Sequence, residues 1–517
     1  MSEISRRGFL GLAAGAGAAL AGTRLLRSPL LAPPAGALQL PAEPFTLGVA
    51  SGDPLPDRVV LWTRLVADPQ APDGGMAPET FAVRWEVAHD ERFAKIAAKG
   101  KAIADPEHAH ALHVDAKGLE PGREYFYRFI AADEESPVGR TRTVPAAGSS
   151  PKRLRLAFGS CQDYEDGYYA AHRHLADEDV DAVLWLGDYI YEGAPGAGVR
   201  VHEGPEVMDV AAYRRRYGTY KSDPDLQAAH AAHPWVVTWD DHEADNNYAG
   251  ELADRDVVPP DQFLVRRAAA YQVWWEHQPV RLPPPDGPDY RIYRRAAFGN
   301  LVNAHVLDTR QYRTNQPCNA TSDIGNCPEA DSPEATLLGP EQKRWLLHGL
   351  DDSSARWDVL AQQVMFAATS FSPDLSNPIH NLDQWDGYRA ERREVLEALS
   401  GDARNGVVIT GDIHSSWVND LIPDQPSGSG KPTATEFVGT SITSNFPLAE
   451  VLEIAASAQP HVKYVDGRDH GYVVLDVTRD RMRADFRYVS AVDDPDASIS
   501  TGASFVVEDR QPGAEEA

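Results

Sequence analysis

Four apolar runs in this 517-residue chain end in side chains that can bind a metal or move a proton. The run LRLAFGS places Cys161 just past its apolar end, and VLWLGDYIYEG, starting at Val183, delivers Asp188 and Tyr191. WVVTWDDHEADNN delivers Asp240, Asp241, His242 and the asparagines Asn246 and Asn247, and GVVITGDIHSSW delivers Asp412 and His414. Singly, each has an ordinary explanation: Cys161 as a small apolar filler, Asp188 as a helix cap, Asp240 and Asp241 as a solvated turn. Together they form a constellation, because ligands in open α/β sheets bind beyond the carboxyl ends of the strands. Four strand ends carrying Cys, Asp, Tyr and His to one rim describe a metal site.

Other signatures fail on their residues. HEADN at His242 lacks the second histidine of the zinc-protease pattern, and GSGK at Gly428 lacks the preceding glycine and following Ser/Thr of a phosphate loop. There is no G-x-S-x-G elbow for a serine hydrolase.

The elements that must position these residues fall into two groups. From 38 to about 148 the chain alternates apolar and polar residues between turn signals, as in RVVLWTRL, FAVRWEVAHD and GLEPGREYFYRF. This reads as an N-terminal β-sandwich of the fibronectin type. AAGSSPKR then reads as a linker. From 149 to 508 short apolar runs alternate with longer helical stretches, which predicts an α/β domain with a layered sheet flanked by helices. Residues 509–517, DRQPGAEEA, are expected to form a disordered tail.

Composition narrows the partners. Apolar residues make up 42% of the chain, enough for a large core, and 49 basic against 77 acidic residues give a formal charge of −28. That argues against nucleic acid or an anionic membrane as a general partner, though not against an anionic substrate met by local positive charge. The N-terminus, SRRGFLGLAAGAGAALAG, carries the pair Arg6–Arg7 before a short, glycine-rich apolar run. It reads as a twin-arginine signal peptide over residues 1–37, cleaved after AGA at Ala35–Ala37, with no membrane span. The twin-arginine machinery is then a partner, and the mature protein is secreted or periplasmic. In an exported chain Cys318 and Cys327, close together in a polar loop, read as a local disulfide. Cys161 is left without a partner.

The motifs GSC, GDYIYE, WDDHEADNN, LDTRQYR and GDIHSSW resemble those of PhoD-type alkaline phosphatases/phosphodiesterases, metallophosphoesterases related to the purple acid phosphatases. FTLGVASGDPLPDRVVLWTRL resembles the β domain that precedes the catalytic domain there, so the likeness spans nearly the whole mature chain. The resemblance implies a phosphoric ester hydrolase with a ferric ion and a calcium ion side by side. Carried over by motif, Cys161, Asp188, Tyr191 and His414 would hold Fe³⁺. Asp188 would bridge to Ca²⁺, with Asp412 and a residue of the 240–247 loop. Asp241 is the first choice in that loop and Asn246 the alternative.

The residue types agree with this assignment. Thiolate and phenolate in one site are unusual for zinc, whereas a strong Lewis acid can keep Tyr191 ionised despite an ordinary pKa of roughly 10. The oxygen-rich neighbour suits Ca²⁺, with Mg²⁺ or another divalent ion as alternatives. Two such metals would neutralise a phosphomonoester or phosphodiester and activate water for attack. His242 would protonate the leaving alcohol, and Arg310 or Arg313 would clamp the phosphate. Tyr388 and Arg389 are further candidates for the pocket wall. The alternative reading is a cell-wall or ligand-binding protein with a vestigial metal site.

Overall fold

A computed structural model describes residues 40–254, 257–318, 323–400, 405–423 and 430–517. The expected signal peptide, with Arg6 and Arg7, lies outside the described residues. The apolar runs form short parallel strands buried along almost their whole length: Arg153–Gly159, Ala182–Trp185, Pro234–Val237 and Asn405–Thr410. Continuous apolar composition fits this, because a parallel strand is covered on both faces.

Two large sheets carry them. One has ten strands in the order Gln511–Glu516, Ile499–Glu508, Arg481–Val489, Gly471–Thr478, Arg153–Gly159, Ala182–Trp185, Pro234–Val237, Val49–Leu55, Arg58–Arg64 and Ala111–Lys117. The strands leading to Cys161, Asp188 and Asp240 are consecutive parallel neighbours within it. The other has seven strands, with Val302–Val306, Trp357–Ala361, Asn405–Thr410 and Ala434–Val438 running parallel at its centre.

The cores show how these pieces stack. One apolar cluster joins Leu156, Phe158, Leu184 and Val236 of the first sheet to Val302, Val359, Ile409 and Phe437 of the second. On its far face the first sheet packs Val183, Trp185 and Trp235 against Tyr213, Leu226 and Trp274 of the helices Val210–Lys221, Pro224–Ala232 and Pro260–His277. The second sheet packs Leu360 and Val408 against Leu346 and Val395 of the helices Gly339–Asp351 and Arg389–Leu399. The result is mixed sheets with helices outside them. Parallel strands of both sheets end at a common rim.

The N-terminal strands form a smaller five-stranded sheet: Ile96–Ala104, Phe81–Ala88, Glu124–Ala131, Glu134–Glu135 and Gly139–Arg142. It shares a core (Val83, Tyr127 and Phe129 with Val49, Val59 and Leu61) with strands of the ten-stranded sheet. Val49–Leu55 is hydrogen-bonded in parallel to Pro234–Val237, with Ser51 opposite Pro234 and Gly52 opposite Trp235. A Cβ on Gly52 would lie 2.2 Å from the Pro279 carbonyl oxygen, so glycine is required for this close approach. Residues 40–517 pack as one compact unit, and the linker near 148 marks no break in packing.

The C-terminus corrects an expectation. The residues read as a disordered tail at 509–517 contain the edge strand Gln511–Glu516, paired antiparallel with Ile499–Glu508. Ala514 is buried, its N–H donates to Asp420 Oδ1 at 2.9 Å, and Gly513 N–H donates to Thr435 Oγ1 at 3.1 Å. An edge strand is held largely by backbone groups, so its acidic, apolar-poor sequence concealed it.

Candidate metal centre

Three of the four strand ends turn sharply at their functional side chains. Cys161, Asp188, Asp412 and His414 have φ of 59°, 54°, 63° and 55°. This left-handed backbone is uncommon outside glycine and clusters at functional sites. Gly187, at φ 118°, makes the turn before Asp188 possible: a Cβ there would sit 2.4 Å from that of Asp240.

The turns bring the predicted ligands together. Candidate donor atoms of Cys161, Asp188 and His414 lie within 4.8 Å of one another, and so do those of Asp188, Asp241 and His242, and of Asp240, Asp241 and Asp412. Tyr191 completes the first group, its hydroxyl 3.1 Å from Asp188 Oδ2 and 3.1 Å from His414 Nε2. His414 Nδ1 pairs with the Asn445 carbonyl oxygen at 3.0 Å, which turns Nε2 inward, as is common for metal-binding histidines. Ser444 Oγ donates to Tyr191 Oη at 2.7 Å. Cys161 is a buried free thiol, 3.2 Å from Ser160 Oγ, while Cys318 and Cys327 form the expected disulfide.

The residues fit a bound cation. Asp188 Oδ1, Asp240 Oδ2 and Asp241 Oδ1 are buried without a hydrogen-bond partner, which is costly for a carboxylate unless a positive charge faces it. Burial pushes the Asp188 and Asp240 carboxyls well up, and burial together with the Asp188 charge pushes up the Cys161 thiol and the Tyr191 hydroxyl. Burial also opposes the charge on Asp241, but Arg310 and His242 outweigh it and hold that carboxyl low. A cation amid these oxygens and the sulfur would relieve the cost of their anionic forms.

Arg310 corrects the sequence reading. It has no exposed side-chain surface, its Nε donates to Asp240, and its Nη1 donates to Asp383 Oδ2 at 2.7 Å. Its Nη2 donates to Asp412 Oδ1 at 2.6 Å and lies 3.5 Å from Asp241 Oδ1. Every guanidinium nitrogen faces a carboxylate, so Arg310 is the fixed counter-charge of the acidic cluster and not a clamp open to phosphate. Arg313 is likewise buried, donating to Asp383 Oδ1 at 2.5 Å and to the Asn247 carbonyl at 3.0 Å. Tyr388 is buried and donates to the Thr314 carbonyl oxygen, and Arg389 lines a different cavity.

A cavity of about 210 Å³ opens over the acids, lined by Asp188, Asp241, His242, Asn246, Gln384 and His414 among others. His242 reaches it with its ring stacked on Tyr191, centroids 4.1 Å apart, and Nδ1 2.8 Å from Glu192 Oε2. Asn246 also lines the cavity, and its backbone N–H donates to Glu192 Oε1 at 2.8 Å.

Four contributors went unassigned in the sequence. Glu243 accepts from the backbone N–H groups of Asp188, Tyr189 and Asp240 at 3.0, 2.7 and 2.8 Å, joining two ligand-bearing loops with one carboxylate. Glu192 and Glu243 both lie inside the quoted motifs, so a signal was present. Asp383 and Gln384, which bind Arg310 and Asp412, follow no apolar strand and gave none.

With this geometry in view, comparison with known proteins places the chain. The PhoD-like phosphatase family profile matches residues 156–486, and the profile for the N-terminal domain of PhoD-like phosphatases matches residues 32–145. Alkaline phosphatase D of Bacillus subtilis (strain 168) is 48% identical over 484 residues, covering 91% of this chain and 82% of that protein. A solved structure titled "Structure of PhoD" superposes with a TM-score of 0.87 at 45% identity, covering 94% of this chain and 93% of that one. The chain belongs to the PhoD-like phosphatase family.

Proposed function

We propose that this protein is an exported alkaline phosphatase/phosphodiesterase that hydrolyses phosphomonoesters or phosphodiesters at a paired metal centre. Family membership makes it a hydrolytic phosphoesterase. The observation that carries the metal reading is the convergence of Cys161, Asp188, Tyr191 and His414 with Asp241 and Asp412, among buried carboxylate oxygens that lack hydrogen-bond partners.

In this reading Cys161, Asp188, Tyr191 and His414 hold Fe³⁺. Asp188, Asp241 and Asp412, with Asn246 as the alternative loop ligand, hold Ca²⁺ or another divalent ion. When bound, such ions supply Lewis acidity toward phosphoryl oxygens and lower the pKa of water beside them. The protein's own groups do the rest. Arg310 orients Asp240 and Asp412, and Glu243 keeps the loops of Asp188 and Asp240 in register. His242 gives a proton to the departing ester oxygen. In this reading, too, the N-terminal strands are a fibronectin-like sandwich, and the larger sheets have the layering of metallophosphoesterases.

Export rests on Arg6 and Arg7 and the twin-arginine route. Among the described residues no helix is long and apolar enough to cross a membrane. The test is steady-state hydrolysis of 4-nitrophenyl phosphate and bis(4-nitrophenyl) phosphate, before and after chelation. Turnover that chelation removes and metal restores is expected. Turnover indifferent to complete metal removal would defeat the metal reading, and no turnover of either ester by metal-replete protein would favour the ligand-binding alternative.

A further inference from the structure

Glu192 ends the GDYIYE segment one residue after the candidate ligand Tyr191. The residue is 4% exposed, and its carboxylate is divided between two partners. Oε2 lies 2.8 Å from His242 Nδ1, and Oε1 accepts the Asn246 backbone N–H at 2.8 Å. An ionised carboxylate can only accept hydrogen bonds. It therefore fixes Nδ1 as the hydrogen-bearing nitrogen of His242 and leaves Nε2 as the atom free to serve the cavity that His242 lines. Two restraints act on the ring together: Tyr191 holds its plane, with an interplanar angle of 29°, and Glu192 holds its edge. The same carboxylate anchors the backbone beside Asn246, so ring and loop share one support.

We propose that Glu192 is the positioning residue of the proton donor, holding His242 through Nδ1–H in the orientation in which Nε2–H meets the leaving oxygen. This rests on the reading of His242 as that donor. In the step it serves, His242 starts as the imidazolium, with hydrogen on both nitrogens. A hydroxide oxygen bonds to phosphorus as the bond to the ester oxygen breaks, and that ester oxygen takes the proton from Nε2, leaving His242 neutral. Nδ1 keeps its hydrogen on Glu192 throughout.

Glu192→Gln tests the idea at nearly constant size. Its amide oxygen can still accept from Asn246 N–H, but its NH₂ group opposes the Nδ1–H of His242. The variant is compared with wild type on two phosphate esters that differ only in the leaving group, 4-nitrophenolate and an alkyl alcohol, with bound metal measured by mass spectrometry. Nitrophenolate leaves without protonation, so the expected loss in kcat is roughly tenfold or more greater on the alkyl ester, at unchanged metal content. Glu192→Asp, which retains an acceptor-only group, should recover part of the alkyl-ester rate. In a His242→Ala background, Glu192→Gln should add no further leaving-group dependence.

Equal losses on both esters, loss of metal, or an undiminished effect without His242 would show that Glu192 only supports the fold. If His242→Ala itself loses equally on both esters, the donor assignment fails, and the positioning role fails with it.

Discussion

Cys161, Asp188, Asp412 and His414 are the residues where chemistry and backbone strain coincide, each at a φ between 54° and 63°. Such a conformation costs on the order of 1–3 kcal/mol per non-glycine residue and persists where the surroundings over-determine it. Asparagine tolerates this region well. Asp188→Asn should therefore fold, yet lose the charge expected to serve both metals. Near-native thermal unfolding of the metal-free variant is expected, with bound metal reduced at both positions and turnover down by roughly 10²-fold or more. Calorimetry and metal analysis on the same preparation check this. The proposed metal ligands could be named from sequence because four apolar runs end in them and because their motifs resemble those of a known family, not because any one residue type announces a ligand. The role of Arg310 could not, since a sequence cannot say whether a guanidinium faces substrate or four aspartates.

The elements show why strand ends were easier to read than their supports. Buried parallel strands carry continuous apolar runs, so Arg153–Gly159, Ala182–Trp185, Pro234–Val237 and Asn405–Thr410 stood out, and the rim followed from the topology rule. Gln511–Glu516 has no such run, because its pairing uses backbone groups and contacts to Asp420 and Thr435. Deleting residues 511–517 should expose the edge of Ile499–Glu508 and remove the burial of Ala514. We expect a loss of about 1–3 kcal/mol in unfolding free energy. Activity per folded molecule should remain, since the strand lies at the edge of the sheet, with three strands between it and Arg153–Gly159. Denaturant unfolding and active-site titration separate the two effects, and unchanged stability would return this segment to the status of a tail.

At the scale of the whole molecule, two regions of distinct sequence pattern are built into one sheet. Composition signalled a change near residue 148, but the pairing of Ser51 with Pro234 depends on contacts far apart in the chain and leaves no local trace. His233 sits just before this junction, 1% exposed, with Nε2 3.0 Å from the Leu175 carbonyl oxygen. Burial, helped by Arg140, lowers its pKa to about 4, against roughly 6.5 when unfolded. The unfolded chain therefore binds this proton more readily between those values. The stability it contributes is complete above about pH 6.5 and is lost as pH falls toward 4, in total about 3 kcal/mol. Replacing His233 with Gln should flatten the pH dependence of unfolding in that window by about one proton. An unaltered slope would mean that His233 titrates normally in the folded protein. The central claim concerns the rim itself, and anomalous scattering from crystals of the purified, metal-replete enzyme tests it most directly. The account predicts two adjacent ions: iron contacting Cys161, Tyr191 and His414, and a second ion among Asp241 and Asp412, with Asp188 touching both. An occupied centre that leaves Cys161 and Tyr191 unliganded, or a single ion without Asp188, would contradict it.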